Sequence, residues 1–114
     1  MSDCIFCKLA SGEIPTKLLY EDDVLVCFAD TAPQAPVHVL FVSKQHIPSA
    51  DAICPQNSYV VKAIFEAIPK VAKELGVENN YRLINNCGEG AGQSVQHLHF
   101  HLLSGAPTMK ERLV

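Results

Sequence analysis

Three histidines alternate through one apolar run, His97-Leu98-His99-Phe100-His101-Leu102-Leu103. A period of two is strand spacing, so His97, His99 and His101 are expected on one face and Leu98, Phe100 and Leu102 on the other. A neutral imidazole attacks through one nitrogen while an acceptor holds the other. That suits attack on phosphorus, with neighbouring imidazoles donating to the non-bridging oxygens. At a rise of roughly 3.3 Å per residue, His97 and His101 lie about 13 Å apart along a strand, too far for one ion to take all three. At most two neighbours share a metal, which leaves at least one imidazole for other chemistry.

Cys4-Ile5-Phe6-Cys7 is a second chemical signal. On a helical turn, positions i and i+3 share a face, so both thiolates can meet one ion, which needs two further ligands. The alternative is a pair of reduced thiols packed under the helix; a redox pair would want a βαβ setting that is missing here. The run Gly88-Glu89-Gly90-Ala91-Gly92 lacks a following Gly-Lys-Ser/Thr and leads into a strand. Neither the P-loop nor the dinucleotide fingerprint applies, and the run reads as a connection that brings Gln93 and Ser94 near the histidine face.

The elements that must position these groups follow from patterning. Residues 4–10 predict a short helix, capped by Ser2 or Asp3 and ended by Gly12. Val24 to Ala29 and Val37 to Val42 read as strands, with Lys17 to Tyr20 a weaker one paired to the first across Glu21-Asp22-Asp23. Pro33-Gln34-Ala35-Pro36 is a loop. Residues 57–75 form the long helix, with Asn57 as N-cap, Gly76 as stop, and Val60, Val61, Ile64, Ile68, Val71 and Leu75 as its core stripe. Pro69 should kink or divide it. Tyr81 to Asn85 and Ser94 to Leu103 complete the strands. The expected fold is α+β, an antiparallel sheet of about five strands with the helices packed on one face.

Residues 1–114 are read as one domain, ordinary in composition, with 48% hydrophobic and 18% charged residues. A net charge of −3 argues against non-specific binding to nucleic acid or a membrane surface. No apolar run approaches the length of a membrane span. The first residues carry no basic, apolar leader pattern, and the five cysteines are then expected as reduced thiols in the cytoplasm. Cys27, inside an apolar run, reads as core.

The segment Gly92-Gln93-Ser94-Val95-Gln96-His97-Leu98-His99-Phe100-His101-Leu102-Leu103 resembles the signature of the histidine triad (HIT) family of nucleotide hydrolases and transferases. Ile5-Phe6, Glu13-Ile14-Pro15, Tyr20-Glu21-Asp22-Asp23, Phe28-Ala29-Asp30, Pro33-Gln34-Ala35-Pro36, Val37-His38-Val39-Leu40 and Lys44-Gln45-His46-Ile47 resemble that family's N-terminal half. The likeness runs nearly to Gly105 and is nearer to the HINT branch, which cleaves phosphoramidates of nucleoside monophosphates, than to the diadenosine-polyphosphate hydrolases.

The resemblance implies a HIT-like fold, a homodimer and a purine nucleotide substrate. It implies His99 as the nucleophile at the α-phosphate, His101 and His38 as its phosphate-binding companions, and Ser94 as a donor near the leaving group. Asn86 would contact the phosphate, Asp30 the ribose hydroxyls, and Ile5, Phe6, Leu9 and Phe28 the base. For His38 a satisfied strand histidine, and for the apolar four ordinary core, are the competing readings. The resemblance also implies a structural zinc ion on Cys4, Cys7, His46 and His97. A nucleotide-binding scaffold with little turnover, and a small zinc-dependent module whose histidine face is mainly ligand, are the rival functions. The tail 106–114 departs from the HINT pattern and lacks its tryptophan, so the choice of leaving group stays open.

Overall fold

The computed structural model describes residues 3–105. The proposed cap Ser2 and the divergent tail 106–114 lie outside the described residues. Five strands, β1 (Tyr20–Glu21), β2 (Leu25–Ala29), β3 (Val37–Ser43), β4 (Arg82–Ile84) and β5 (His99–Ser104), form one antiparallel sheet in the order β1-β2-β3-β5-β4. Two helices, α1 (Ile5–Ser11) and α2 (Tyr59–Glu74), complete the α+β fold.

The helices lie on opposite faces of the sheet, not on one. Leu25 and Cys27 of β2, Val39 and Phe41 of β3, and Leu102 of β5 pack with Val60, Ile64, Ile68 and Val71 of α2. The alternate residues Val26, Phe28, Leu40 and Val42 pack with Phe6 and Ala10 of α1. Both sides of β2 and β3 are therefore apolar, which is why these strands read as continuous hydrophobic runs. The histidines of β5 share the α1 face, since Leu40 pairs with His101 and Val42 with His99.

Several local expectations shift. Cys4 is the N-cap of α1, its Sγ accepting from Cys7 N–H at 3.4 Å, and Gly12 ends the helix at φ +85°. Asn57 does not cap α2. Its carboxamide closes the preceding turn, accepting from Cys54 N–H at 2.7 Å and donating to the Ala52 carbonyl, while Ser58 takes the cap position. Pro69 does not divide α2; it sits on the exposed side, where water can satisfy the carbonyl of Phe65 that it leaves unbonded. The weak first strand falls at Tyr20–Glu21, because the Asp22 carboxylate binds Val24 and Leu25 N–H and places the turn after Glu21. β5 begins at His99 rather than Ser94. Residues 95–97 bend, with His97 N–H donating to the Val95 carbonyl.

Candidate active site

Two histidine clusters flank the α1 face, and ring tautomers separate their chemistry. At the first, His97 is fully buried and its Nε2 lies 2.6 Å from the Ser43 carbonyl. A carbonyl only accepts, so the ring proton is on Nε2 and Nδ1 carries the lone pair. That lone pair faces Cys4 Sγ (3.3 Å), Cys7 Sγ (3.4 Å) and His46 Nδ1 (3.2 Å), and Cys7 Sγ lies 3.2 Å from His46 Nδ1. All four ligand atoms fall within 4.8 Å of one another. A tetrahedral zinc ion with ordinary bond lengths wants S···N edges of about 3.5 Å and an N···N edge of about 3.3 Å. The donor set fits such an ion, with the Ser43 carbonyl as the outer partner that orients a ligating imidazole. Burial holds the His97 pKa below the ordinary histidine range, which favours the neutral ring that ligation needs.

The second cluster joins Asp30, His38 and His101. Gln34 N–H donates to His38 Nδ1 at 3.0 Å, so the His38 proton is on Nε2, 2.9 Å from His101 Nδ1 and 3.5 Å from Asp30 Oδ2. These three side chains also bring ligand atoms within 4.8 Å. A cation at His38 Nε2 would have to displace that proton and leave the ring anionic, so the trio is a hydrogen-bond relay and not a metal centre. His38 donates to His101 Nδ1, which leaves the His101 proton on Nε2 as an outward donor. Burial, then the neighbouring histidines, lowers the His101 pKa to about 4, so the ring is neutral at physiological pH.

His99 lies between the clusters, 4% exposed, its ring centroid 5.1 Å from that of His101. Its Nδ1 is 2.7 Å from the backbone carbonyl of His97 and must donate to it. The lone pair is thereby fixed on Nε2, the arrangement an attacking imidazole requires. Asn85 Nδ2 donates to the His99 carbonyl at 2.8 Å. A cleft of about 210 Å³ opens beside the relay, lined by Gln34, His38, Ile84, Asn86, His101 and Leu103.

The structure brings His38, His101 and Asn86 together at this cleft, with Asp30 beside His38 and holding Ala32 N–H through its other oxygen at 2.8 Å. Phe6 and Phe28 are core, 7% and 5% exposed, and their rings meet edge to face. Leu9 packs against the same cluster, and Ile5 is 43% exposed. Ser94 is exposed on the segment leading to His97 and is not among the residues lining the cleft. Sequence reasoning missed Ser43, Asn85 and the role of Gln93. Gln93 is buried, its Oε1 accepting from Gly88 N–H and its Nε2 donating to the Pro48 and Val95 carbonyls. A lone glutamine closing a glycine-rich loop was the available signal. Buried Cys27 has its thiol pushed up to about 12 and is inert. Among the described residues no helix is long and apolar enough to cross a membrane.

Comparison with known proteins agrees with this geometry. Residues 3–113 match the family model described as scavenger mRNA decapping enzyme C-term binding. Protein HitA of Neisseria gonorrhoeae is 39% identical over 107 residues, 94% of this chain and 99% of its own length. The purine nucleoside phosphoramidase of Escherichia coli K12 is 36% identical over 106 residues, 92% of this chain and 89% of its own. A histidine triad protein from Clostridium difficile superposes with a TM-score of 0.90 at 44% identity, covering 98% of both chains. A HIT family hydrolase from Clostridium thermocellum reaches 0.92 at 43% identity, covering 100% of this chain and 99% of its own. With its alternating histidines on β5 and likeness along nearly its whole length, the chain belongs to the histidine triad family of hydrolases.

Proposed function

We propose that this hydrolase acts at the α-phosphate of nucleoside 5′-phosphoramidates, or of acyl- or polyphosphate-linked nucleotides, through a covalent nucleotidyl-His99 intermediate. The observation that carries the reading is the His97 carbonyl bound to His99 Nδ1 at 2.7 Å, which puts the lone pair of the ring on Nε2. His99 Nε2 attacks phosphorus, the P–N bond breaks, and the departing nitrogen takes a proton from solvent water to leave as the amine. The resulting cationic imidazole keeps its Nδ1 proton on the His97 carbonyl, which stabilises the charge. Water then attacks phosphorus, the P–Nε2 bond breaks, one proton returns to solvent, and the nucleoside monophosphate leaves with neutral His99 restored. The neutral His101, donating from Nε2, holds a non-bridging oxygen. Its proton position is set by His38, and that of His38 by Gln34 N–H. Asn86 supplies a further polar contact at the cleft, Asp30 the ribose contact and Ser94 the donor to the leaving group.

Zinc on Cys4, Cys7, His46 and His97 would be structural, tying α1 to the start of β5, and the chain would work as a homodimer. The ion would make and break no bond of the substrate.

Mass spectrometry of enzyme rapidly quenched with adenosine phosphoramidate tests the reading. A mass increase of one nucleotidyl group on His99 is expected. No adduct, with full activity in His99→Ala, would refute it.

A further inference from the structure

We infer that the Cys4–Cys7–His46–His97 centre, when it holds its metal, positions the attacking imidazole, acting through His97 and Phe6. The inference rests on the reading of His99 as nucleophile.

His97 is engaged at three points. Its Nδ1 faces the thiols and His46, its Nε2 donates to the Ser43 carbonyl, and its own carbonyl accepts from His99 Nδ1. The peptide that carries this carbonyl precedes the β5 ladder, which begins at His99. It is held instead by Leu98 N–H donating to the Ile47 carbonyl at 2.7 Å. Residues 46–47 and 97–98 thus meet twice, once through that hydrogen bond and once through the facing rings of His46 and His97. An ion shared by those rings clamps the two segments and fixes the direction of the His97 carbonyl. When the clamp loosens, the carbonyl turns, the His99 proton loses its fixed acceptor, and the ring populates both tautomers. Only one of them has its lone pair on the attacking nitrogen.

Phe6 is the second arm. It lies between the two metal-facing cysteines in sequence, and its ring centroid is 6.0 Å from that of His97 and 4.9 Å from that of His99, with the planes at 77° and 88°. With both thiolates on the ion, the first turn of α1 holds Phe6 against the His99 ring. Phe6 and His97 are therefore positioning residues, and the base-binding role expected for Phe6 is secondary to this one.

The test compares zinc-loaded wild type with His46→Gln and Phe6→Leu. His46 is exposed, so its loss weakens the centre without opening the core. Readouts are kcat and KM separately, zinc per chain, and the His99 tautomer from ring ¹H–¹⁵N correlation at one neutral pH. For His46→Gln, loss of zinc, both His99 tautomers, KM within about threefold and kcat down about tenfold or more are expected, since small misplacements of a reacting group cost that much. Phe6→Leu should keep its zinc yet show the same split between kcat and KM. A single Nδ1–H tautomer with unchanged kcat in Phe6→Leu, or in folded His46→Gln lacking zinc, would overturn the inference. If wild type shows no turnover, the nucleophile reading fails, while the tautomer data still report whether the clamp exists.

Discussion

His38 and His101 sit diagonally across the β3–β5 ladder, with His38 Nε2 donating to His101 Nδ1 at 2.9 Å. Burial, and after it the neighbouring His99 and His38 rings, keep His101 neutral down to about pH 4. In the unfolded chain the ring protonates near 6.5. Between these values the unfolded state binds the extra proton, so stability falls as pH drops from about 6.5 to about 4 and is unaffected by this group above that window. The contribution is about 1–2 kcal/mol, taking half the full effect as screened by the solvent the ring still touches. Urea midpoints at pH 7 and pH 5 should converge in His101→Gln relative to wild type. An identical pH dependence in the two proteins would place the acid sensitivity elsewhere.

Removing either imidazole separates attack from charge stabilisation. His99→Ala should lose the covalent route and all adduct. His101→Ala should still form adduct, with kcat down about 10²-fold and nucleotide affinity nearly unchanged, the usual cost of one lost oxyanion donor. Single-turnover quench kinetics on both variants would distinguish these outcomes; equal residual rates would argue against distinct roles.

Zinc and nucleophile should also separate. His99→Ala is expected to retain one zinc per chain by elemental analysis, because its ring is not among the four facing donors. Chelation should lower the melting temperature by roughly 10 °C without dissolving the β-sheet. Zinc lost on removing His99 would make the histidine face a ligand set instead.

Gly105 follows β5 at φ +116°, and a Cβ there would lie 2.6 Å from Cγ of Pro36, in a rigid ring that cannot swing aside. Gly105→Ala should destabilise the protein by about 1–3 kcal/mol, since it combines backbone strain with a clash. An unchanged denaturation midpoint would mean that the loop before β3 gives way freely.

The faces of the sheet were legible because side chains of β2, β3 and β5 alternate, and the histidines of β5 inherit that alternation. The two-sided placement of the helices has its mark in the uninterrupted apolar run Val24 to Ala29, the pattern of a strand covered on both faces. What sets the chemistry of each ring was not legible. The His97 and Ser43 carbonyls and the Gln34 N–H are backbone groups, which every residue type supplies, so no letter in the sequence marks them. The early start expected for β5 failed for a different reason: the apolar face of Leu98, Phe100 and Leu102 gives way to polar Gln96 and Ser94, and a bend at residues 95–97 keeps them out of the ladder.

Gln93 fastens the loop 88–93 to Pro48 and Val95 from within, leaving Glu89, Gly90 and Ala91 exposed at its tip. The anchorage of the tip is thus independent of the side chains it carries. Lengthening or recharging it should leave the seat of the loop intact, because none of the bonds that Gln93 makes involves a side chain of the tip.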